Sequence, residues 1–310
     1  MKILLLGHTG FVGKNVGEVM EKNNLSWIGA SRKTGVDLRD VSQVEKLLSE
    51  VKPDFVVNCA AHVGSLNYVT QNAADVIEDN AAMVLALYQA LARKAPEACV
   101  INPIANCAYP ATEETFVEDE WMNGPLHRSV LSYGATRRLL YWVGESFQMQ
   151  YDIRSIYFLV PNMYGPHDST DPNKAHALNA LTAKFVKAKV ENATEVEVWG
   201  TGVAIREWLY APDFGRIVVE FLKNPTMVGL SEPLNIGQHF GLSVRELVDI
   251  IRVSCGYSGK VRYDHSKPDG APKKVMDDKR FRKVFPNFHF TPQEEGLKAC
   301  IDFYSNCYPY

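Results

Sequence analysis

The chain has 310 residues, of which 46% are hydrophobic and 22% are charged, and its formal net charge at pH 7 is −3. This length allows one large α/β domain with an added lobe, or two domains. A charge so close to neutral provides no basic surface of the kind that binds nucleic acid or an anionic membrane, so we expect neither as a partner. The first apolar run ends at Gly7, too early for the core of a signal peptide, and no later stretch has the length of a membrane span.

The six cysteines form no CxxC pair and show no metal-ligand spacing. We therefore expect no metal site, thiols that stay reduced and a cytoplasmic protein. Asn192-Ala193-Thr194 fits a glycosylation sequon, but without a secretory signal we interpret it as a chance match.

The N-terminal half alternates short apolar runs with segments of helical spacing. The strands predicted there are residues 2–6, 26–30, 55–58, 99–101 and 153–160. The helices predicted between them are residues 11–23, 41–51, 73–94 and 132–150. Regular alternation of strands and helices implies an α/β fold, a parallel sheet that is wound with helices on both faces.

Beyond Pro161 the elements become shorter and the alternation loosens. The segments predicted there are a polar loop at 167–174, helices at 177–189 and 244–254 with Ser243 as the cap of the second, a strand at 195–199, and short elements of unassigned type at 208–210 and 234–236. We expect residues 1–165 to form the larger domain and residues 166–310 a smaller lobe over the carboxyl edge of the sheet, where open α/β sheets bind ligands. A return of roughly residues 204–222 to the larger domain is left open.

A GxxGxxG turn joins the first predicted strand to the first predicted helix. Its first two glycines let the backbone turn tightly and approach a pyrophosphate, and the third lets the helix pack on the strand. The N-terminus of the helix then faces the negative charge. This context predicts a Rossmann-type dinucleotide site. The residues of the turn that we assign to the cofactor are Gly7, Thr9, Gly10, Phe11, Val12 and Gly13.

The segment after the second predicted strand indicates which dinucleotide is bound. It reads Ala30-Ser31-Arg32-Lys33, with no acidic residue for the ribose hydroxyls of NAD. A serine and a cation suit the 2′-phosphate of NADP, so NADP(H) is the expected cofactor, while the alternative is that Arg32 and Lys33 are solvated loop residues. The further residues expected at the cofactor are Ser31, Arg32, Asp37, Leu38, Ala60, Ala61 and His62.

Further motifs follow in a fixed order along nearly the whole chain. They are residues 60–64 (AAHVG), Asn80, residues 107–110 (CAYP), Tyr133, residues 161–166 (PNMYGP), residues 199–202 (WGTG) with Arg206-Glu207, and residues 269–274 (DGAPKK). Together with the glycine turn they make the chain resemble the GDP-L-fucose synthases, which are extended short-chain dehydrogenases/reductases. That resemblance implies an NADP(H)-dependent enzyme that inverts carbons 3 and 5 of a GDP-4-keto-6-deoxy-sugar and then reduces the ketone.

The resemblance also implies a pair of residues that move protons, Cys107 and His176. A proton beside a ketone is acidic enough to be removed by a positioned base, and the opposite face of the carbon must then receive one. Either residue alone would more readily be interpreted as structural. Their joint occurrence at the family's positions is what favours a catalytic role.

The residues at the family's ketone-reducing positions depart from the family pattern. Tyr133 is in place, but Arg137 stands one helical turn later where the family has lysine, and Ala105 stands where it has serine. Arginine keeps the positive charge that faces the nicotinamide and Tyr133, but it is planar and bulkier. Alanine donates no hydrogen bond, and losing one such donor costs about a hundredfold in rate. Hydride transfer is therefore left open as slow, absent, or supported by another donor such as Asn106 or Thr136.

The substrate residues are taken from the resemblance. It places Asn162 at the pyrophosphate of the nucleotide sugar, Lys184 and Arg206 at its phosphates, and Trp199 against its base, with Asp269 hydrogen-bonded to the nucleotide. Core packing of Trp199 and a solvated Asp269 are the alternatives. The resemblance does not distinguish a six-carbon from a seven-carbon sugar.

Three functions stay open at this level. The first is a nucleotide-sugar epimerase/reductase, the second an epimerase without net reduction, and the third a catalytically silent binding protein. The resemblance further implies a homodimer through a four-helix interface made by helices 73–94 and 132–150. The apolar residues of these helices would serve equally well against the sheet: Val84, Leu87, Leu91, Leu140 and Val143.

Overall fold

The computed structural model describes residues 1–171, 173–224, 232–267, 269 and 271–310. Its strands are β1 (Ile3–Leu6), β2 (Trp27–Ala30), β3 (Phe55–Asn58), β4 (Cys99–Ala105), β5 (Thr115–Phe116), β6 (Ser155–Val160), β7 (Asn162–Tyr164), β8 (Glu195–Trp199), β9 (Ile205–Arg206), β10 (Trp208–Tyr210), β11 (Leu234–Asn235), β12 (Leu242–Ser243), β13 (Lys260–Asp264) and β14 (Lys273–Met276). Its α-helices are α1 (Phe11–Lys22), α2 (Val41–Val51), α3 (Leu66–Gln71), α4 (Ala73–Lys94), α5 (Leu131–Tyr151), α6 (Ala177–Val190), α7 (Ala211–Lys223), α8 (Val244–Cys255), α9 (Lys279–Val284) and α10 (Gln293–Cys307).

A six-stranded sheet in the order β11-β6-β4-β3-β1-β2 forms the centre of the described structure. All of its neighbouring strands run parallel. The strand β1 is buried at every position, as a strand covered on both faces must be. Its side chains alternate between two cores: Leu4 and Leu6 pack with α2, α4 and α5, while Ile3 and Leu5 pack with α1 and α7. The predicted α/β fold with a doubly wound parallel sheet is confirmed.

The predicted elements agree with the structure to within a few residues. The largest difference is β4, which extends to Ala105 because Pro103, Ile104 and Ala105 continue the pairing with β6. Ser243 caps α8 as predicted, in a reciprocal capping box with Glu246. The helices α3, α7, α9 and α10 are not predicted by the sequence pattern.

Part of the chain after residue 165 packs on the larger sheet. The helix α7 lies against α1, and β11 pairs with β6 at the edge of the sheet. The helices α6, α8 and α10 pack together in a separate core and β13 pairs with β8, while Phe281 and Phe285 of α9 lie in the core that contains α1 and α7. The domain division at residue 165 stays a prediction, with α7 on the side of the larger domain.

The two long helices α4 and α5 pack against each other. The apolar residues whose orientation the sequence left open face the protein core, since they are at most 9% exposed: Val84, Leu87, Leu91, Leu140 and Val143. A different set lies on the outer face of the pair and is at least 41% exposed: Ile77, Leu85, Leu131, Trp142 and Met149. Among the described residues, no helix combines the length and the hydrophobicity that crossing a membrane requires.

Candidate active site

The glycine turn brings the backbones of β1, α1 and β3 unusually close together. Gly7 has φ +72° and donates its N–H to the carbonyl of Ala30 at 2.8 Å. A Cβ on Gly13 would lie 2.3 Å from the Gly7 oxygen, and one on Gly7 would lie 2.8 Å from the backbone of Ala60. Gly10, at the N-cap of α1, provides no side-chain cap. The first N–H groups of α1 are therefore oriented for a ligand such as a pyrophosphate, and the turn fits a dinucleotide.

The end of β2 holds the residues predicted for the 2′-phosphate. Ser31 is buried, its hydroxyl lies 3.0 Å from Thr9 Oγ1, and it forms a capping box with Thr34. Arg32 and Lys33 on the same turn are exposed. The structure thus orders the serine and leaves two cations at the surface beside it, an arrangement that suits a phosphate.

Asp37 and His62, both predicted at the cofactor, are joined by two residues that the sequence did not single out. Arg39 forms ion pairs with Asp37 at 2.6 Å and with Asp79 at 2.7 Å. The hydrogen bonds from Arg39 lower the pKa of Asp37 to about 2. Asp79 in turn lies 2.8 Å from Nδ1 of His62, whose Nε2 lies 2.8 Å from the hydroxyl of Tyr68. Leu38, by contrast, is buried in the core beside α2.

Tyr133 and Arg137 project from one face of α5, as predicted. The guanidinium carbon of Arg137 lies 5.0 Å from the centre of the Tyr133 ring, and Nη2 donates to Oδ1 of Asn80 at 3.1 Å. Asn80 is fully buried, and its amide also hydrogen-bonds the backbone of His62 in both directions. Asn80 on α4 therefore anchors the arginine that replaces the family's lysine.

A small cavity of about 10 Å³ lies behind Arg137. Its polar lining is Asn58, Asn80 and Arg137, and apolar residues complete it. Nε of Arg137 is buried, and within the described part of the chain it has no hydrogen-bond partner. A polar cavity of this size holds about one water molecule, which would satisfy the buried Nε–H.

Cys107, Tyr133 and Arg137 form one electrostatic group. Burial raises the pKa of the Cys107 thiol to about 12, while the charges of Arg137 and Lys274 act in the opposite direction. Burial also raises the pKa of Tyr133, and Arg137 again opposes it. Lys274, on β14, is a member of this group that the sequence did not assign to the site. Burial and the neighbouring cation Arg206 lower its pKa, while Cys107 acts to raise it.

Thr136 and Asn106 are the two residues expected to donate a hydrogen bond to the ketone in place of the missing serine. Thr136 is buried and its hydroxyl donates to the carbonyl of Tyr133 at 2.8 Å, so its hydrogen is already committed. The expectation that Thr136 serves as a donor is therefore not supported. Asn106 directly follows Ala105 at the end of β4 and is half-buried, which leaves its amide as the candidate.

His176 lies in a second group, at the N-cap of α6. Its ring packs on Phe11 of the glycine turn, with ring centres 5.4 Å apart, and its Nδ1 lies 3.2 Å from both carboxylate oxygens of Asp168. The structure therefore places His176 over the start of α1, and Cys107 beside Tyr133. Asp168 lies two residues after the motif at 161–166, but only the fold brings it to His176.

Four of the predicted substrate residues lie on adjacent segments of the C-terminal lobe: Lys184, Trp199, Arg206 and Asp269. Trp199 is 58% exposed, which rules out the core-packing alternative, and Lys267 lies over its ring at 5.5 Å. Its indole N–H donates to Glu197, and Lys184 donates to the carbonyl of the same Glu197 at 2.6 Å. Asn162 is half-buried at the start of β7.

Asp269 organises the turn between Trp199 and Arg206. Its carboxylate accepts hydrogen bonds from the backbone N–H and the hydroxyl of Thr201 at 2.7 and 2.6 Å, so the solvated alternative is wrong. Its carbonyl accepts from Nη2 of Arg206 at 3.2 Å. Gly270 of the same motif lies outside the described residues. The turn thus holds an exposed aromatic ring and a half-buried guanidinium on adjacent segments, which suits a base and a phosphate.

Comparisons with known proteins agree with this geometry. A model of the NAD dependent epimerase/dehydratase family matches residues 3–237. The GDP-L-fucose synthase of Azorhizobium caulinodans is 30% identical over 277 residues, 89% of this chain and 88% of that protein. The crystal structure of a GDP-L-fucose synthetase from Naegleria fowleri bound to NADP has a TM-score of 0.87 at 24% identity, covering 99% of this chain and 94% of that one. A GDP-6-OMe-4-keto-L-xylo-heptose reductase from C. jejuni has a TM-score of 0.88 at 22% identity, covering 99% and 98%.

These findings confirm the Rossmann-type fold, the resemblance read from the motifs, and an enzyme that binds a nicotinamide dinucleotide. The alternative of a catalytically silent binding protein is not supported. The chain belongs to the NAD dependent epimerase/dehydratase family, and within it resembles the GDP-L-fucose synthases.

Proposed function

We propose that the protein is an NADPH-dependent epimerase/reductase that acts on a GDP-4-keto-6-deoxy-hexose or a GDP-4-keto-heptose. Two observations carry the proposal: Cys107, Tyr133 and Arg137 form one group, and His176 packs on Phe11 of the glycine turn. The names of the relatives, a GDP-L-fucose synthase and a GDP-heptose reductase, favour a GDP-linked keto-sugar.

The cofactor proposal rests on the residues of the glycine turn and β2. The turn would hold the pyrophosphate, while Ser31, Arg32 and Lys33 would hold the 2′-phosphate that distinguishes NADP from NAD. The NADP-bound structural neighbour is consistent with this preference. When bound, NADPH supplies a hydride. Tyr133 would give its hydroxyl proton to the ketone oxygen, so that hydride and proton together convert the ketone to an alcohol.

The epimerisation proposal assigns opposite proton-transfer roles to two side chains. With a pKa of about 12 the Cys107 thiol is protonated at neutral pH, so it starts as a proton donor. The imidazole of His176, which packs on Phe11 of the glycine turn, would accept a proton from the sugar carbon. A proton removed from one face of the sugar carbon and returned on the other inverts that carbon.

Lys274 and Arg206 would stabilise the negative charge of the substrate. Both are partly buried cations on neighbouring strands, β14 and β9, which pair with each other. Burial makes an unpaired cation costly, and an anionic ligand removes that cost. We therefore propose that the diphosphate or the enolate of the keto-sugar lies between them and Cys107.

Incubation with GDP-4-keto-6-deoxymannose and NADPH tests the proposed function. The loss of NADPH absorbance measures reduction, and chromatography of the nucleotide sugar identifies the product. We expect the NADPH absorbance to fall and a new nucleotide sugar to appear. The reaction should be faster with NADPH than with NADH. A keto-sugar that is recovered with unchanged configuration and without NADPH loss would contradict the proposal.

A second candidate, epimerisation without net reduction, is favoured by Arg137 and Ala105. A hydrogen bond to Asn80 holds the guanidinium of Arg137 and restricts its movement. Ala105 donates no hydrogen bond to the ketone. This candidate predicts inverted keto-sugar with NADPH left intact. Product analysis in the same incubation separates the two candidates.

We also propose a homodimer in the cytoplasm. The outer face of α4 and α5 exposes a row of large apolar side chains, which is costly in water and typical of an interface. The six cysteines are all free, and a thiol that transfers protons must stay reduced, which the cytoplasm provides.

A further inference from the structure

The candidate for a further role is Asp168, an almost fully buried carboxylate that the proposed chemistry does not yet use. Its side chain is 4% exposed, and that of the neighbouring His176 is 31% exposed. Asp168 accepts a hydrogen bond from the backbone N–H of His176 at 2.8 Å, and Nδ1 of the same residue lies 3.2 Å from both carboxylate oxygens. One carboxylate therefore holds both the backbone and the ring of His176.

Other groups hold Asp168 itself in place. Nδ2 of Asn179 donates to Oδ2 of Asp168 at 2.8 Å, and Asn179 is fully buried. Oδ1 of Asn179 accepts from the backbone N–H of Gly165 at 3.1 Å, which ties α6 to the end of the motif at 161–166. Burial would raise the pKa of Asp168, but the hydrogen bonds from His176 and Asn179 outweigh it and the net pKa is lowered. Asp168 is therefore an anion at neutral pH.

An anionic carboxylate decides which nitrogen of the imidazole carries the proton. A carboxylate only accepts hydrogen bonds, so Nδ1 must be the protonated nitrogen of the neutral ring. Nε2 is then the acceptor, on a ring that is packed against Phe11 of the cofactor turn. Orientation of an imidazole by a buried carboxylate is a general way of preparing it for proton transfer.

We propose that Asp168 is a positioning residue for His176, which fixes the imidazole with Nδ1 protonated and Nε2 free to exchange a proton with the keto-sugar. The inference rests on the proposed function of His176. Asn179 completes the arrangement by holding Asp168, and through it the ring, at a fixed distance from the glycine turn.

The first test needs no variant. Nitrogen-15 NMR of histidine-labelled wild-type protein distinguishes the two neutral tautomers, with the His176 signals assigned by their loss in His176→Gln. We expect the tautomer protonated at Nδ1. A dominant tautomer protonated at Nε2 would overturn the proposal, whatever the behaviour of variants.

The second test compares Asp168→Asn with the matched control Asp171→Asn. Asp171 lies in the same loop and accepts a backbone hydrogen bond from Asn173 at 2.9 Å. In Asp168→Asn we expect solvent-deuterium exchange into GDP-4-keto-6-deoxymannose to fall about tenfold or more, with NADPH affinity unchanged and a mixture of His176 tautomers. Wild-type exchange with an unchanged tautomer in this variant would refute the inference.

His176→Gln separates a failure of the inference from a failure of the proposed function. If exchange is lost in His176→Gln but kept in Asp168→Asn, the proposed function stands and only the role of Asp168 is wrong. If exchange persists in His176→Gln as well, the proposed role of His176 is wrong, and the role of Asp168 is wrong with it.

Discussion

Arg137 places a planar guanidinium where the family pattern has an ammonium group. Its stacking on Tyr133 and its hydrogen bond to Asn80 hold it from two sides. Lysine carries a compact charge on a flexible chain, so it could approach the ribose and Tyr133 more closely. At the scale of the single residue, we expect this exchange, together with Ala105, to decide between reduction and epimerisation alone.

Restoring lysine tests that feature. We expect Arg137→Lys to raise the rate of NADPH oxidation severalfold relative to deuterium uptake by the sugar, because the ammonium is free of Asn80. Arg93→Lys, an exposed arginine on α4, serves as control and should change neither rate. If the rate of NADPH oxidation instead falls in Arg137→Lys, the prediction is wrong and the site works better with arginine.

Asn80 is predicted to matter for stability as well as for the site. Truncation in Asn80→Ala leaves the Arg137 guanidinium and the backbone of His62 with fewer partners in a buried region. We expect the free energy of unfolding to fall by about 2 kcal/mol, measured by urea denaturation. The exposed Asn123→Ala should change it little. Equal effects of the two variants would show that the Asn80 contacts contribute nothing.

The Cys107 thiol should react slowly with alkylating agents. Its pKa of about 12, raised by burial from 9.0, leaves very little thiolate at neutral pH. We expect iodoacetamide to label the exposed Cys307 first and Cys107 only as the pH rises, as read by peptide mass spectrometry. Rapid labelling of Cys107 at neutral pH would show that it is a thiolate, and would reverse its proposed role from donor to acceptor.

At the scale of elements, Glu207 joins three segments of the substrate edge. Its carboxylate accepts from the backbone N–H groups of Met276 at 2.6 Å and Gln238 at 2.5 Å, and its own N–H donates to the carbonyl of Lys274. It is therefore Glu207, immediately after Arg206, that keeps β14 and its Lys274 in place.

A pH dependence of stability follows from Glu207. Burial raises its pKa from 4.5 to about 7, so between these pH values the folded protein retains a proton that the unfolded chain has lost. The contribution of Glu207 to the free energy of unfolding must then fall as the pH rises from about 4.5 to about 7 and level off above. We expect Glu207→Gln to remove this slope in urea denaturation, and the exposed Glu50→Gln to keep it. A slope that survives in Glu207→Gln would contradict the assignment.

Most of the elements were predictable because their signals are local. The apolar run of β1, the spacing of α4 and the cap at Ser243 each lie within one segment. The partners of the site were not, because they meet only after folding: Arg39 and Asp79 are 40 residues apart in sequence, and Asn80 and Arg137 are 57 apart. Asp168 and Lys274 were not predicted for the same reason. No sequence motif links Asp168 to His176 or Lys274 to Cys107.

At the scale of the whole molecule, the exposed apolar face of α4 and α5 predicts self-association. Trp142 is 56% exposed there, and a charge at its position would be buried at the proposed interface. We expect Trp142→Glu to sediment as a monomer and the wild type as a dimer. Val253 on α8 is 73% exposed and offers a matched control, Val253→Glu, which should stay dimeric. A wild-type monomer at micromolar concentration would refute the dimer.

The central claim is that a thiol and an imidazole exchange protons with a keto-sugar on this dinucleotide-binding fold. The most direct measurement is the mass-spectrometric and NMR analysis of deuterium in the sugar after incubation in D₂O with GDP-4-keto-6-deoxymannose. We expect deuterium at carbons 3 and 5 with wild-type protein, and its loss in Cys107→Ala and in His176→Gln. Sugar that remains free of deuterium with the wild type, or labelling that both variants retain, would contradict it.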